Sequence, residues 1–306
     1  MKQKILISIL NYNNSEATKK CIKSVLSNII EGCEVLVIDN NSTDGSFLIL
    51  KEYFKKLNII KSNNNGGYAS GHKISVDYAI DNKFDFIWIL NNDLIVKKET
   101  LKELISAFNE FGLGIYGSIS LKSENPDIIN FGGGNTHKID EPFEYNSYED
   151  SNLEKYYKET QIRKVQSIEG SSMFIPVKLI IKYGFMRLDY FMYAEETDYC
   201  YRLSKLGISS YVVPKSIIIH GGGESLKSNK YLESYYRRRN MLFFEKEHYN
   251  ISVIRNIHRR IGILNFVKFI IKGFFFKNES NELYYLNMAN IHALFNKRGK
   301  LNDAKN

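Results

Sequence analysis

Through its first 120 residues the chain alternates short, almost wholly apolar runs with stretches in which apolar side chains recur every three or four positions. Lys4–Leu10, Glu34–Ile38, Asn58–Lys61 and Phe84–Leu90 read as strands of the fully buried kind, since most lack the alternation of a half-exposed strand. Between them, Ser15–Ile30 places Ala17, Cys21, Ile22, Val25, Leu26 and Ile29 on one helical face, with Ser15 as the N-cap. Phe47–Phe54, Ala69–Ile80 and the repeat Leu101, Leu104, Ile105, Phe108 read as further helices. This βαβα rhythm predicts an α/β fold, a mostly parallel sheet with helices on both faces. From Gly114 to Tyr157 the pattern loosens: Pro126, the Gly132–Gly134 run and the charged, Tyr-rich stretch 137–164 predict an irregular insertion or a meander. Order returns with a strand at Ser167–Pro176, helices at Val177–Tyr183 and Glu195–Leu206, and a strand at Ser210–His220. Residues 231–306 are helical in pattern.

The polar residues fall in register with this pattern. Asn11–Asn14, Asp39–Asp44, Asn63–Gly67 and Asn91–Asp93 each follow the carboxyl end of a predicted strand. Open α/β sheets bind ligands outside those ends, so these loops predict one composite site.

Composition narrows the class. The 306 residues are 43% hydrophobic and 25% charged, which excludes disordered, collagen-like and low-complexity chains. No run is long and apolar enough for a transmembrane helix, and the basic, apolar N-terminus reads as a first strand rather than a signal peptide. Cys21, Cys33 and Cys200 lack metal-ligand spacing and fit reduced thiols in the cytoplasm. The net charge of +8 is uneven: residues 230–306 carry +9 and the remainder −1. The expected division is therefore a domain at 1–229 and a basic helical extension at 230–306.

Several residues have the chemistry for a site. Asp39 could accept hydrogen bonds from a ribose or a base, and Asp93 could hold a hard divalent cation; both could instead cap the following helix, and for Asp93 the cap weighs about as much as the ligand. The glycines of Asn63–Gly71 allow close backbone approach before a helix, but neither a dinucleotide fingerprint nor a P-loop is present. Glu195, Glu196 and Asp198 sit at a helix start, where they complement the dipole or supply a general base. His220 ends an Ile-rich strand and is followed by three glycines; it fits a strand-edge hydrogen-bonder or a metal ligand.

Taken together, Val37–Gly45, the Asn-x-Gly-Tyr-Ala-x-Gly of Asn65–Gly71, Leu90–Asp93, Glu169-Gly170-Ser171, Phe191–Asp198 and His220 resemble glycosyltransferase family 2, in particular its rhamnosyltransferase-like branch of bacterial polysaccharide enzymes. The resemblance spans about residues 4–245 and implies a GT-A fold, a nucleotide-sugar donor, a divalent metal (Mn²⁺ or Mg²⁺) and inversion at the anomeric carbon. It places Asp39 at the base or ribose, and Asn65 and Gly67 in the donor loop. Asn91 and Asp93 stand at the ends of the Asp-x-Asp-type motif, with Asp93 the main metal ligand and His220 its late partner. Asn11 and Asn92, from the same strand-end loops, join the donor-binding set. Glu196 falls at the catalytic-base position, with Glu195 supporting it, and Arg239 falls in a basic stretch near the diphosphate. Asn91 and Glu196 stand where many relatives have Asp, and His72 and Lys73 where relatives often have Asn.

The resemblance also implies a glycan or lipid-linked glycan acceptor for cell-surface polysaccharide, with dTDP-rhamnose or a UDP-sugar as donor. Competing readings are an inactive GT-A-like binding module and a nucleic-acid-binding protein using the basic tail. The latter lacks any recognised motif, and its strand-end carboxylates would repel phosphates, so nucleic acid is not an expected partner. Residues 255–277 enclose the apolar run Ile261–Phe276 flanked by Arg255, Arg259, Arg260 and Lys277. It reads either as a helix packed on the core or as an interfacial helix on a membrane surface, placing a cytoplasmic enzyme on the inner face of the plasma membrane.

Overall fold

The computed structural model describes residues 3–134, 148–159, 161–221, 230–262, 264–265, 267–268 and 282–301. In chain order, β1 (Ile5–Asn11), α1 (Ser15–Leu26), β2 (Cys33–Asp39), α2 (Ser46–Tyr53), β3 (Asn58–Lys61), α3 (Tyr68–Asp81) and β4 (Phe86–Asn91) follow the apolar rhythm closely. Next come β5 (Leu94–Val96), α4 (Thr100–Phe111), β6 (Gly114–Lys122), β7 (Ile129–Phe131), α5 (Leu153–Glu159), β8 (Arg163–Val165), β9 (Ser172–Pro176), α6 (Val177–Tyr183), a 3-10 turn at Leu188–Tyr190, α7 (Glu195–Ser204) and β10 (Ser209–His220). Helices α8 (Lys230–Tyr249), α9 (Val253–Ile261) and α10 (Glu282–Leu294) complete the elements.

One mixed sheet runs in the order β3-β2-β1-β4-β9-β6-β10-β5, with β7 on β6 and β8 on β10. Strands β1 to β4 pair in parallel; β9 enters antiparallel between β4 and β6. Each face of the sheet has its own core. Ile5, Ile7 and Ile9 pack with Cys21, Ile22 and Val25 of α1, and with Leu101 and Leu104 of α4. Leu6 points the other way, into a core shared with Val76 of α3, Leu179 of α6 and Leu203 of α7. Burial on both faces is why these strands read as unbroken apolar runs.

Two local expectations change. The N-cap of α1 is Asn14, not Ser15: Asn14 has φ 59° and its side chain accepts from the Ala17 N–H at 3.1 Å. Asn tolerates this left-handed conformation better than most residues. The larger change is β6, an inner strand within a stretch that reads as irregular. A Cβ at Gly114 would lie 2.7 Å from the Ser209 carbonyl oxygen, and one at Gly117 would lie 2.8 Å from Ile168 Cβ. Both glycines are demanded by neighbours distant in sequence, so they punctuate the pattern without breaking the strand.

The chain divides into two compact units, Met1–Met186 with Glu196–Ser225, and Arg187–Glu195 with Leu226–Asn306. This differs from a single cut at 229/230, because Arg187–Glu195 packs with the C-terminal helices. In that second unit Tyr190 and Ala194 share a core with Leu242, Phe243, Val253, Ile257 and Ala293. Arg187, Asp189, Glu247 and Arg298 form a linked set of ion pairs beside it. Among the described residues no helix is long and apolar enough to cross a membrane. Residues 263, 266 and 269–281, and with them most of the Ile261–Phe276 run, lie outside the described residues.

Candidate active site at the carboxyl ends of the strands

At the ends of β1 and β2 the polar loops knit into one network. Asn11 and Asp39 are register partners on these two strands. The Asn11 amide donates to Asp39 Oδ2 at 2.7 Å and to Ser42 Oγ at 3.1 Å. Ser42 donates its backbone N–H to Asp39 Oδ1 at 2.9 Å and its hydroxyl to Oδ2 at 2.6 Å. The Asn11 oxygen accepts from Thr18 Oγ1 at 2.6 Å and from Asn92 Nδ2 at 3.1 Å. Asn92 thereby ties the end of β4 into the same corner. Asn40 reaches the Asn63–Gly67 loop, with Nδ2 3.1 Å from both Asn65 Oδ1 and the Gly67 carbonyl oxygen. Gly67 needs its freedom here: its φ is 89°, and its N–H donates back to Asn65 Oδ1 at 3.1 Å. Asn11, Asp39, Asn65, Gly67 and Asn92 are thus brought together as the sequence suggested. The network is largely satisfied from within, and Asp39 is fully buried.

A second, charged corner forms where β5 pairs antiparallel with β10. His220 lies opposite Leu94 in the register, and the Gly221 N–H donates to the Asp93 carbonyl oxygen at 2.8 Å. A Cβ at Gly221 would stand 2.9 Å from that oxygen, so the approach requires glycine. Asp93 and His220, distant in sequence, therefore meet: His220 Nε2 lies 3.2 Å from Asp93 Oδ1, and the Asn91 amide lies 3.5 Å from the same nitrogen. On the other side of the ring, Nδ1 lies 2.8 Å from Glu169 Oε1. Glu169 Oε2 accepts from Ser120 at 2.7 Å.

The electrostatics follow from these contacts. Burial alone would depress the His220 pKa, but the Glu169 charge and the hydrogen bonds to Asp93 and Glu169 outweigh it and hold the ring's pKa well above its ordinary value. Burial would likewise raise the Glu169 pKa, and His220, Ser120 and Ser171 reverse that, leaving it below the usual carboxylate value. The donor set suits a hard or borderline divalent cation. Two adjacent ligands of an octahedral ion at ~2.1 Å lie about 3.0 Å apart, close to the observed 3.2 Å between Asp93 Oδ1 and His220 Nε2. The Glu169 contact at Nδ1 would leave Nε2 as the ligating nitrogen.

Sequence reasoning assigns Glu169 no role beyond its place in the Glu169-Gly170-Ser171 motif. Its signal was present as a carboxylate immediately before the buried run Ser171–Pro176. Tyr68 links the Glu169–Ser171 segment to the Asn63–Gly67 loop through a short hydrogen bond from its hydroxyl to the Gly170 carbonyl.

Glu195 and Glu196 begin α7, and both are buried. Behind them Thr197 Oγ1 lies 3.1 Å from Ser167 Oγ, and Asp198 accepts from Arg202 Nε at 2.8 Å. Arg239, expected near a diphosphate, is 1% exposed within the C-terminal unit. It donates to Asn240 Oδ1, the Tyr235 hydroxyl and the carbonyls of Tyr190 and Gly299 at 2.8–3.2 Å. Its nitrogens are spent on holding the protein together. His72 is also a core residue: Nδ1 lies 2.9 Å from Ser8 Oγ, and burial pushes its pKa down to about 3.

Comparison with known proteins bears on the family and the fold. The chain is 27% identical over 214 residues to the low-salt glycan biosynthesis hexosyltransferase Agl10 of Haloferax volcanii, covering 68% of this chain and 64% of that protein. It is 24% identical over 113 residues to the glycosyltransferase GlyG of Streptococcus pneumoniae, covering 36% of each. The chain thus spans somewhat less than two thirds of the hexosyltransferase it matches. Among solved structures, a mannosyltransferase of Pyrobaculum calidifontis in complex with GDP-Man and Mn²⁺ superposes with a TM-score of 0.62 at 11% identity, over 97% of this chain and 88% of that one. GalNAc-T7 with UDP, GalNAc and Mn²⁺ gives 0.59 at 15% identity, over 85% and 56%. These likenesses establish the GT-A fold. Residues 6–167 match the profile of glycosyl transferase family 2; the chain belongs to that family.

Proposed function

We propose that the protein transfers a hexosyl group, with inversion, from a nucleotide-diphosphate sugar to a glycan acceptor in cell-surface polysaccharide synthesis. The observation that carries this reading is the charged corner, where Asp93 and His220 stand 3.2 Å apart. Asp93 and His220 would hold Mn²⁺ or Mg²⁺, with Asn91 beside them; the bound ion would supply charge neutralisation for the departing diphosphate. The ions and nucleotides named with the two structural relatives support this assignment.

The chain's own residues supply the rest. Asp39, Asn11, Asn65, Gly67 and Asn92 shape the donor side, where the Asp39 and Asn65 loops flank the base and ribose. Glu196, supported by Glu195, takes the proton from an acceptor hydroxyl as its oxygen attacks the anomeric carbon. The helix N-terminus keeps that carboxylate ionised, as a base requires. A single displacement needs no carboxylate nucleophile. For the donor, dTDP-rhamnose follows from the branch resemblance, with UDP-hexoses as the alternative.

The acceptor in this reading is a glycan carried on a membrane lipid, and the enzyme works on the inner membrane face. Exposed Ile254, Leu264 and Val267 lie near Arg255 and Lys268, which suits an anionic surface. The deciding experiment measures release of UDP or dTDP from a nucleotide-sugar panel with and without Mn²⁺, in the presence of anionic or neutral vesicles. Metal-dependent release from one donor is expected; no release from any donor would leave a binding module.

A further inference from the structure

The turn that leads into Glu195 and Glu196 has an unusual backbone. Phe191, Tyr193 and Ala194 have φ of 70°, 65° and 69°, the left-handed region that side-chain-bearing residues avoid. A sequence free to choose would place glycines there. Strained backbone of this kind persists only where its surroundings over-determine it, and it gathers at functional sites.

The surroundings are two side chains of α8. Asn240 Nδ2 lies 3.0 Å from the Tyr190 carbonyl oxygen, 2.8 Å from that of Met192 and 2.8 Å from that of Tyr193. Arg239 donates to the same Tyr190 oxygen at 2.9 Å, and its other contacts anchor it to Tyr235 and Gly299. Both side chains are buried, so water cannot substitute for them. One amide thus gathers three carbonyls of a four-residue turn, and only Ala194 separates that turn from the acidic pair.

We propose that Asn240, with Arg239 behind it, is a positioning residue for the general base: it fixes the turn from which Glu195 and Glu196 project. This rests on the reading of Glu196 as the base. A base must stand within hydrogen-bond reach of the hydroxyl it deprotonates, and a displacement of about 1 Å can cost on the order of 100-fold in rate. The basic stretch Tyr236–Asn240 therefore serves the acceptor chemistry through backbone geometry.

The test separates positioning from simple scaffolding. Asn240→Ala is prepared alone and together with Ala194→Gly, because glycine accepts the left-handed φ without strain and restores folding if strain alone is the defect. Turnover is read on the donor found active in the panel, and donor-site integrity by calorimetric titration of UDP or dTDP with Mn²⁺. Turnover should fall by about 10–100-fold with nucleotide affinity within about twofold, and Ala194→Gly should recover the melting temperature without recovering turnover. Asn240→Ala should also add little to the loss in Glu196→Gln. Unchanged turnover per folded molecule, recovery of turnover by the glycine, or failure of both variants to fold would each make Asn240 a scaffold residue and overturn the proposal. A Glu196→Gln variant that keeps its turnover would sink the base assignment separately.

Discussion

The Asn11–Asp39 corner and the Asp93–His220 corner occupy the same edge of one sheet and use their carboxylates in opposite ways. Around Asp39 a single buried charge is spread over neutral donors, Asn11 and Ser42, at 2.6–2.9 Å. Nearly every atom there has a partner inside the protein. Around His220 two carboxylates flank one ring, and the stabilising element is a proton on the imidazole. The first arrangement holds a shape. The second can exchange a proton for a cation, because metal ligation requires the neutral imidazole and the ionised carboxylate.

The largest effect expected from this contrast is in the charged corner. Asp93→Ala and His220→Ala should each weaken Mn²⁺-dependent binding of UDP or dTDP by more than about 100-fold, beyond the usual cost of losing an outer-shell partner. The loss is read per folded molecule, because each change also leaves a buried charge unpaired and lowers the melting temperature. Nucleotide binding that ignores both Mn²⁺ and chelator would end the metal assignment and erase the contrast.

Glu169→Gln comes next. The amide keeps the shape and can still meet His220 Nδ1, but it lacks the charge, so Mn²⁺ affinity should fall roughly 10–100-fold with the nucleotide contacts intact. Calorimetry of Mn²⁺ into the nucleotide-saturated protein would show it, and an unchanged affinity would reduce Glu169 to a packing residue.

In the amide corner the cost should appear as stability instead. Thr18 donates to Asn11 at 2.6 Å and accepts from Asn92 at 2.9 Å, and it is buried. Thr18→Val keeps the volume and removes both bonds, which should cost about 1–3 kcal/mol in urea unfolding. Metal affinity should be unaffected. A loss of metal affinity in this variant would show that the two corners are coupled.

A further effect concerns pH. Burial lowers the pKa of His72 to about 3, and burial with the nearby cations Lys297 and Arg239 lowers that of His292 to about 4. A histidine depressed in the folded state binds protons more readily when unfolded. Its contribution is therefore complete above pH ~6.5 and is lost as the pH falls toward the folded value. Melting temperatures should decline between pH 6.5 and 4.5, and His72→Asn should flatten part of that slope. An unchanged slope would place the acid sensitivity elsewhere.

Legibility in the sequence followed the range of the forces involved. Strands β1 to β4 and the loops after them were readable because a run of apolar side chains and the polar residue ending it are adjacent in the chain. β6 was not, since Gly114 and Gly117 answer to Ser209 and Ile168 across the fold. Asp93 and His220 were paired through family resemblance, while the cause of their meeting is a three-residue strand, β5, too short to leave a pattern. The contacts of Arg239 were illegible for a related reason. An arginine run ordinarily marks a solvated or phosphate-facing surface, whereas backbone carbonyl acceptors leave no trace in the sequence.

The turn at Arg187–Glu195 has a consequence for anyone recombining members of this family. In the chain it interrupts the catalytic unit, yet its packing partners belong to α8 and the helices after it. A chimera spliced after residue 225 would pair a native turn with a foreign amide. Grafts should therefore carry residues 187–195 and the C-terminal helices as a single heritable piece, taken from one parent.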